Sequence, residues 1–179
     1  MKVVGIIGGP KHDGNTFKLV RAVLDGALEA GHTVVTWRLR DIGIGHVGYF
    51  EDKILFPLDD FDKMQPDLES MGAMVIGAPI WYGQVDTRTF SFINRTYYYN
   101  KYYSEENAEK WPSAQPVNVI TYGRDEEDSY DNVLDWLDGV WNWYGMKKSI
   151  NLVAAGTGDK PVETQKDLLE RAKEIGRNL

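Results

Sequence analysis

The chain has 179 residues, 42% of them hydrophobic and 26% charged, which suits one domain around one buried core. Its net charge of −7 argues against nucleic acid as a general partner, because phosphate backbones call for a basic surface. It has no cysteine, so the chain itself offers no disulfide, thiolate nucleophile, zinc–thiolate site or cysteine-bound iron–sulfur cluster. Lys2–Ile7 is a short apolar run closed by Gly8-Gly9-Pro10 and reads as a central strand buried on both faces. That run is too short to span a bilayer and lacks a cleavage signal, and no later stretch is apolar for long enough. The expectation is a cytoplasmic protein with no membrane partner. Asn15 is the expected cap of the following helix. Its Leu19, Val20, Val23, Leu24, Ala27 and Leu28 fall at helical spacing, and Gly31 ends it.

His32–Leu39 alternates around Val34, Val35 and Trp37 as a second strand. Residues 41–58, with glycines at 43, 45 and 48, read as irregular. A short helix follows, with Pro66 near its first turn or kinking it. Ala73–Ala78 is a third apolar strand. Asp86 or Thr87 caps the next helix, on which Phe90, Ile93 and Tyr97 share a face. Val117–Tyr122 is a fourth strand, Val133, Leu137, Val140 and Tyr144 mark a helix, and Ile150–Ala155 is a fifth strand. Leu168, Ala172 and Ile175 mark the last helix.

Strands this apolar, separated by amphipathic helices, need cover on both faces of a parallel sheet. The pattern predicts an α/β three-layer sandwich forming a single domain over residues 1–179, with a five-stranded parallel sheet of order 2-1-3-4-5. In that order the ligand crevice lies at the carboxyl ends of strands one, three and four.

Three loops at that edge carry chemistry. Gly9-Pro10-Lys11-His12-Asp13-Gly14-Asn15-Thr16 leads from the first strand into a helix. Free backbone N–H groups and the positive end of the helix dipole make such a turn an anion site, and Asn15 and Thr16 add side-chain donors. The spacing approaches the nucleotide triphosphatase loop, but Asn15 stands where that loop has lysine, so a monophosphate suits it better than a triphosphate. The three-glycine dinucleotide fingerprint is absent. The second, Gly77-Ala78-Pro79-Ile80-Trp81-Tyr82-Gly83-Gln84-Val85 at the end of the third strand, offers the flat apolar faces of Trp81 and Tyr82 to a planar ring. The third is Thr121-Tyr122-Gly123-Arg124, in which Arg124 reads either as a surface partner of Asp125, Glu126 or Glu127 or as a cation facing the ligand. Lys11 and His12 read either as phosphate partners or as exposed loop residues. Arg38 and Arg40 end the second strand, where a ribose phosphate is one reading, and are expected to be solvated surface.

Together, Gly5 to Thr16, Gly77 to Gly83 and Phe92-Ile93-Asn94-Arg95-Thr96 resemble, in order and separation, the NAD(P)H-dependent FMN reductase and iron–sulfur flavoprotein branch of the flavodoxin-like superfamily. The resemblance implies a flavodoxin-like fold with non-covalently bound FMN. It implies that Gly9, Pro10, Lys11, Gly14, Asn15 and Thr16 wrap the ribityl phosphate. Pro79, Ile80, Trp81, Tyr82, Gly83, Tyr122, Gly123 and Arg124 would border the isoalloxazine ring. It also implies a homodimer or tetramer with the flavin near a subunit interface. Two departures stand out. Gly9 replaces a serine usual in the family, and residues 42–60 hold no cysteine cluster.

The resulting expectation is an FMN oxidoreductase reduced by NADH or NADPH that passes electrons to a quinone, a flavin or another small-molecule acceptor. No side chain is nominated as a catalytic acid, base or nucleophile, because the cofactor carries the chemistry. The alternatives are an electron carrier acting through protein partners and a binding module that has lost FMN. His32 and His46 have no evident metal-site partners, and no metal site is expected. Tyr97-Tyr98-Tyr99, Tyr102-Tyr103 and Trp111 suggest an interface or a lid. Trp136, Trp141 and Trp143 suggest mixed core and interface packing.

Overall fold

The computed structural model describes all 179 residues. In chain order the elements are β1 (Lys2–Ile7), α1 (Asn15–Glu29), β2 (Thr33–Arg38), β3 (Gly48–Phe50), β4 (Lys53–Leu55), α2 (Asp60–Glu69), β5 (Ala73–Trp81), β6 (Gln84–Val85), α3 (Thr87–Arg95), α4 (Glu105–Lys110), β7 (Gln115–Thr121), α5 (Asp131–Trp143), β8 (Ile150–Ala154) and α6 (Lys166–Arg177). The main sheet runs β2-β1-β5-β7-β8 with every neighbouring pair parallel, which is the order 2-1-3-4-5 of its five long strands.

Side-chain alternation along the buried strands builds the two cores. On β1, Val4 and Ile6 point to one face and Val3 and Ile7 to the other. The first face is covered by Phe61, Met64 and Leu68 of α2, Phe92 and Ile93 of α3, and Val133, Leu137 and Trp141 of α5. The second is covered by α1, through Leu19, Val20, Val23 and Leu24, and by α6, through Ala172. α1 and α6 cross in backbone contact, because each has a glycine at the crossing. A Cβ on Gly26 would lie 2.0 Å from the Lys173 carbonyl oxygen, and one on Gly176 would lie 1.9 Å from that of Val23. No helix is long and apolar enough to cross a membrane.

The structure departs from the sequence reading in four places. Residues 41–58 contain an antiparallel hairpin, β3 with β4, whose turn residues Glu51 and Asp52 both have positive φ. The third strand continues to Trp81, and β6 folds back on it as a short antiparallel hairpin. Glu105–Lys110 forms the helix α4, which the sequence reading did not mark, whereas Pro66 lies inside α2, the second of the two positions that reading allowed. The cap of α1 is Gly14 and not Asn15, and no side chain bonds there. The α3 cap is Asp86, which accepts from the Arg88 amide and the Thr89 hydroxyl.

Candidate functional site

The loops after β1, β5, β7 and β8 meet at the carboxyl edge of the sheet around an open cavity of about 240 Å³. Its floor is the loop into α1. The amides of Asn15, Thr16 and Phe17 form the first turn of that helix and find no acceptor within the chain. Three unpaired donors at the positive end of a fifteen-residue helix are a site for an anion.

The approach to that turn is as tight as the backbone permits. A Cβ on Gly8 would fall 2.0 Å from the Thr89 hydroxyl and 2.5 Å from the Asp86 carboxylate, so this position admits only glycine. Gly9 has φ +82°, a left-handed conformation that costs a side-chain-bearing residue about 1–2 kcal/mol. The serine that the family resemblance led one to expect at this place would be strained here.

The loop is braced from outside. Arg38 donates to the His12 carbonyl, and its guanidinium lies 4.7 Å over the ring of Phe17. Arg38 is therefore a strut of the loop, with only part of its side chain exposed, rather than the solvated surface residue the sequence suggested. Lys11 is the one cation among the lining residues. A site of neutral donors, a helix terminus and one flexible ammonium matches a monoester phosphate better than a triphosphate.

Of the residues singled out in the sequence, Gly9, Pro10, Lys11, Gly14, Asn15, Thr16, Pro79, Ile80, Trp81, Tyr122 and Gly123 line the cavity. Tyr82, Gly83 and Arg124 do not. Tyr82 and Gly83 form the turn between β5 and β6, both at positive φ, with the tyrosine ring fully in solvent. Arg124 is exposed, makes no ion pair with Asp125, Glu126 or Glu127, and uses its carbonyl to hold the amide of Gly156.

Asn15 lines the cavity but its side-chain amide, unlike its backbone N–H, is already engaged. It donates to the Thr157 carbonyl at 3.3 Å and accepts from the Val162 amide at 3.0 Å, tying the loop after β8 to the loop after β1. Thr157 in turn bonds the Tyr122 carbonyl through both its amide, at 2.9 Å, and its hydroxyl, at 3.0 Å. The far wall of the site is thus wired to its floor through Asn15. Tyr122 is held by its own hydroxyl, which donates to the carbonyls of Glu126 and Glu127. Burial first, then the carboxylates of Asp131, Glu127 and Asp128, push this phenol up to about 12.

Gly8, Phe17 and Thr157 also line the cavity and were not singled out for it, and Thr121, which opened the third loop, lines it without having been given a ligand role. Gly8 was legible as part of the glycine pair closing β1. Thr157 lies between two glycines just past the last strand, a loop signal that the strand order alone places at the edge of the crevice rather than against β1.

The other sequence candidates lie elsewhere. His32 is between the amino terminus and the Leu179 carbonyl, and His46 sits beside Ser91, Asn94 and Tyr97. Tyr99 and Trp111 are core residues rather than a lid. Trp141 is fully buried with its indole N–H on Asn118, whereas Trp143 and Tyr102 are exposed against each other.

The model of the NADPH-dependent FMN reductase family matches residues 1–127. The chain belongs to that family. An iron–sulfur flavoprotein of Methanocaldococcus jannaschii is 29% identical over 54% of this reductase-family chain and 52% of its own length. An NAD(P)H dehydrogenase (quinone) of Archaeoglobus fulgidus is 32% identical over 46% of each. The chain thus spans about half the length of the curated relatives it matches. Among solved structures, an NAD(P)H:quinone oxidoreductase from Methanothermobacter marburgensis superposes with a TM-score of 0.78 at 18% identity, over 99% of this chain and 95% of that one. At that identity the superposition establishes the flavodoxin-like fold. The first two motif loops, from Gly5 to Thr16 and from Gly77 to Gly83, fall inside the family match.

Proposed function

We propose that the protein is an FMN-dependent oxidoreductase that takes reducing equivalents from NADH or NADPH and delivers them to a small acceptor such as a quinone or a flavin. The observation that carries this reading is the single cavity in which an unpaired helix N-terminus faces a wall of Pro79, Ile80, Trp81, Tyr122 and Gly123.

The residues fit FMN. The amides of Asn15, Thr16 and Phe17 would hold the phosphate, with the Thr16 hydroxyl and Lys11 as further donors. The apolar wall would hold the ring edge, and Thr157 would close the side away from Trp81. The chemistry FMN supplies when bound is two-electron exchange between a reduced nicotinamide and an acceptor. The protein's part is orientation and exclusion of water on the buried side. No side chain in the cavity is placed as an acid or base with a proton to move. Trp81, about half exposed, and the turn at Tyr82 border the open side where a nicotinamide or acceptor would approach.

The quaternary proposal is a homodimer. Between α3 and α5 lies a surface groove of about 500 Å³ with Phe90, Ile93, Tyr97, Trp136, Val140 and Trp143 along it, an apolar face of the kind that a second copy covers. The cytoplasm, where NADH and NADPH are the common reductants, is the location this reading proposes.

A carrier role, without an organic substrate of its own, is favoured by one feature. The acidic run Asp125-Glu126-Glu127-Asp128 follows the ring wall directly and would suit docking to a basic protein. One experiment separates the two. Protein loaded with FMN and freed of excess should show flavin absorption, and NADH or NADPH added without oxygen should bleach it within turnover time. Bleaching only by a reduced partner protein would support the carrier, and a colourless protein would overturn both.

A further inference from the structure

We infer that Thr121 is a positioning residue of the phosphate site, acting through Thr16 by a directional hydroxyl relay. This rests on the FMN reading above and extends it to a residue outside the anion loop.

The hydroxyls of Thr16, in the first turn of α1, and Thr121, the last residue of β7, lie 2.7 Å apart, and both side chains are buried at the cavity wall. The Thr16 rotamer is fixed by packing. Its methyl lies over Gly77, where a Cβ would come within 3.0 Å of it, which leaves the hydroxyl directed toward Thr121. Each hydroxyl has one proton and can accept two bonds. Without an anion, either can donate to the other. A phosphate dianion has no proton to give, so it selects one arrangement. Thr16, beside the free amides, donates to the phosphate, and Thr121 donates to Thr16. Each bond in such a chain polarises the next, and the water-poor setting strengthens both. The relay also serves selectivity: a neutral ligand group that can itself donate gains nothing from it, whereas an acceptor-only phosphate does.

The test is equilibrium titration of FMN, and of riboflavin as the ligand without phosphate, monitored by quenching of flavin fluorescence. Melting temperatures confirm that each variant is folded. Thr121→Val keeps the shape and removes the donor. It should weaken FMN binding about five- to tenfold, the worth of one hydrogen bond between neutral groups, and leave riboflavin binding unchanged. Thr121→Ser should bind FMN as the wild type does. The double variant Thr16→Val/Thr121→Val should be no weaker than Thr16→Val alone, because Thr121 acts only through Thr16. Should Thr121→Val fail to fold, Thr121→Ala carries the same expectation.

The inference is overturned if the folded Thr121 variant binds FMN like wild type, if Thr121→Ser is as weak as Thr121→Val, or if the two valine substitutions add. Additivity would mean that Thr121 meets the phosphate directly or not at all. A wild-type protein that binds no FMN would instead overturn the functional reading, and this inference with it.

Discussion

Arg95 shows how much one residue can organise. It is buried in α3, pairs with Asp59, donates to the carbonyls of Gly45 and Pro57, and stacks its guanidinium 4.8 Å over Phe61. The excursion from β2 through β3 and β4 to α2 is pinned at this point. Asp59 also caps α2 by accepting from the Phe61 amide, while its own amide donates to Asp62. Removing one partner leaves the other charge buried and unpaired, so Arg95→Ala should lower unfolding free energy by about 3–5 kcal/mol in chemical denaturation. At Gly9 the positive φ makes the opposite of a repair. Gly9→Ser, which supplies the hydroxyl expected from the family resemblance, should lower the melting temperature, because the left-handed backbone costs about 1–2 kcal/mol and the new Cβ would sit 3.1 Å from Pro79.

The tyrosines give a pH signature. Burial first, and then nearby carboxylates, raise Tyr122 to about 12, and burial also raises Tyr99 and Tyr144. In the unfolded chain these phenols ionise near pH 10. Below that value their contribution is fully present. As pH climbs from there through about 12 for Tyr122, the unfolded state loses protons that the folded state keeps, and stability falls. The urea midpoint should therefore drop between about pH 10 and about pH 12, and Tyr122→Phe should flatten the drop. An equal drop in the variant would assign it to other groups.

The long elements were legible because their periodicity is strong and uninterrupted. The five strands of the main sheet and α1, α3, α5 and α6 lie within a few residues of where apolar spacing puts them. The hairpin of β3 and β4 was not legible. Its turn is Glu51-Asp52, neither of them the glycine or asparagine that announces positive φ, and its strands are only three residues each. In the aromatic segment after α3, Tyr99 and Trp111 were misread because tyrosine and tryptophan composition does not reveal burial. Tyr99 is locked by a hydroxyl bond to Glu69, while Tyr102 lies open. The anion loop was readable from glycines and a helix start, whereas Asn15, which looks like a phosphate donor, is drawn away by Thr157 and Val162 in a loop more than a hundred residues later. The glycine crossing of α1 and α6 also depends on partners far apart in sequence. Gly26→Ala or Gly176→Ala should cost about 1–3 kcal/mol or more, since the helices must separate to admit a methyl, and denaturant melts would show it.

At the scale of the whole molecule, one edge of the fold forms the cavity proposed for FMN and another face is left apolar and exposed. The carboxyl edge of the sheet gathers four loops into the cavity, and the α3–α5 groove exposes Trp143 and Phe90 to solvent. If a second copy covers that groove, Trp143→Glu should shift sedimentation from dimer to monomer without lowering the melting temperature of the monomer. An unchanged dimer would place the interface elsewhere. The central claim concerns the other face: the open amides of the first turn of α1 hold the phosphate of FMN. Its most direct measurement is the affinity of the wild-type protein for FMN beside that for riboflavin under the same conditions. FMN should bind at least about tenfold more tightly, the value of a charge-assisted hydrogen bond. Equal affinity for the two flavins, or binding of neither, would contradict the account.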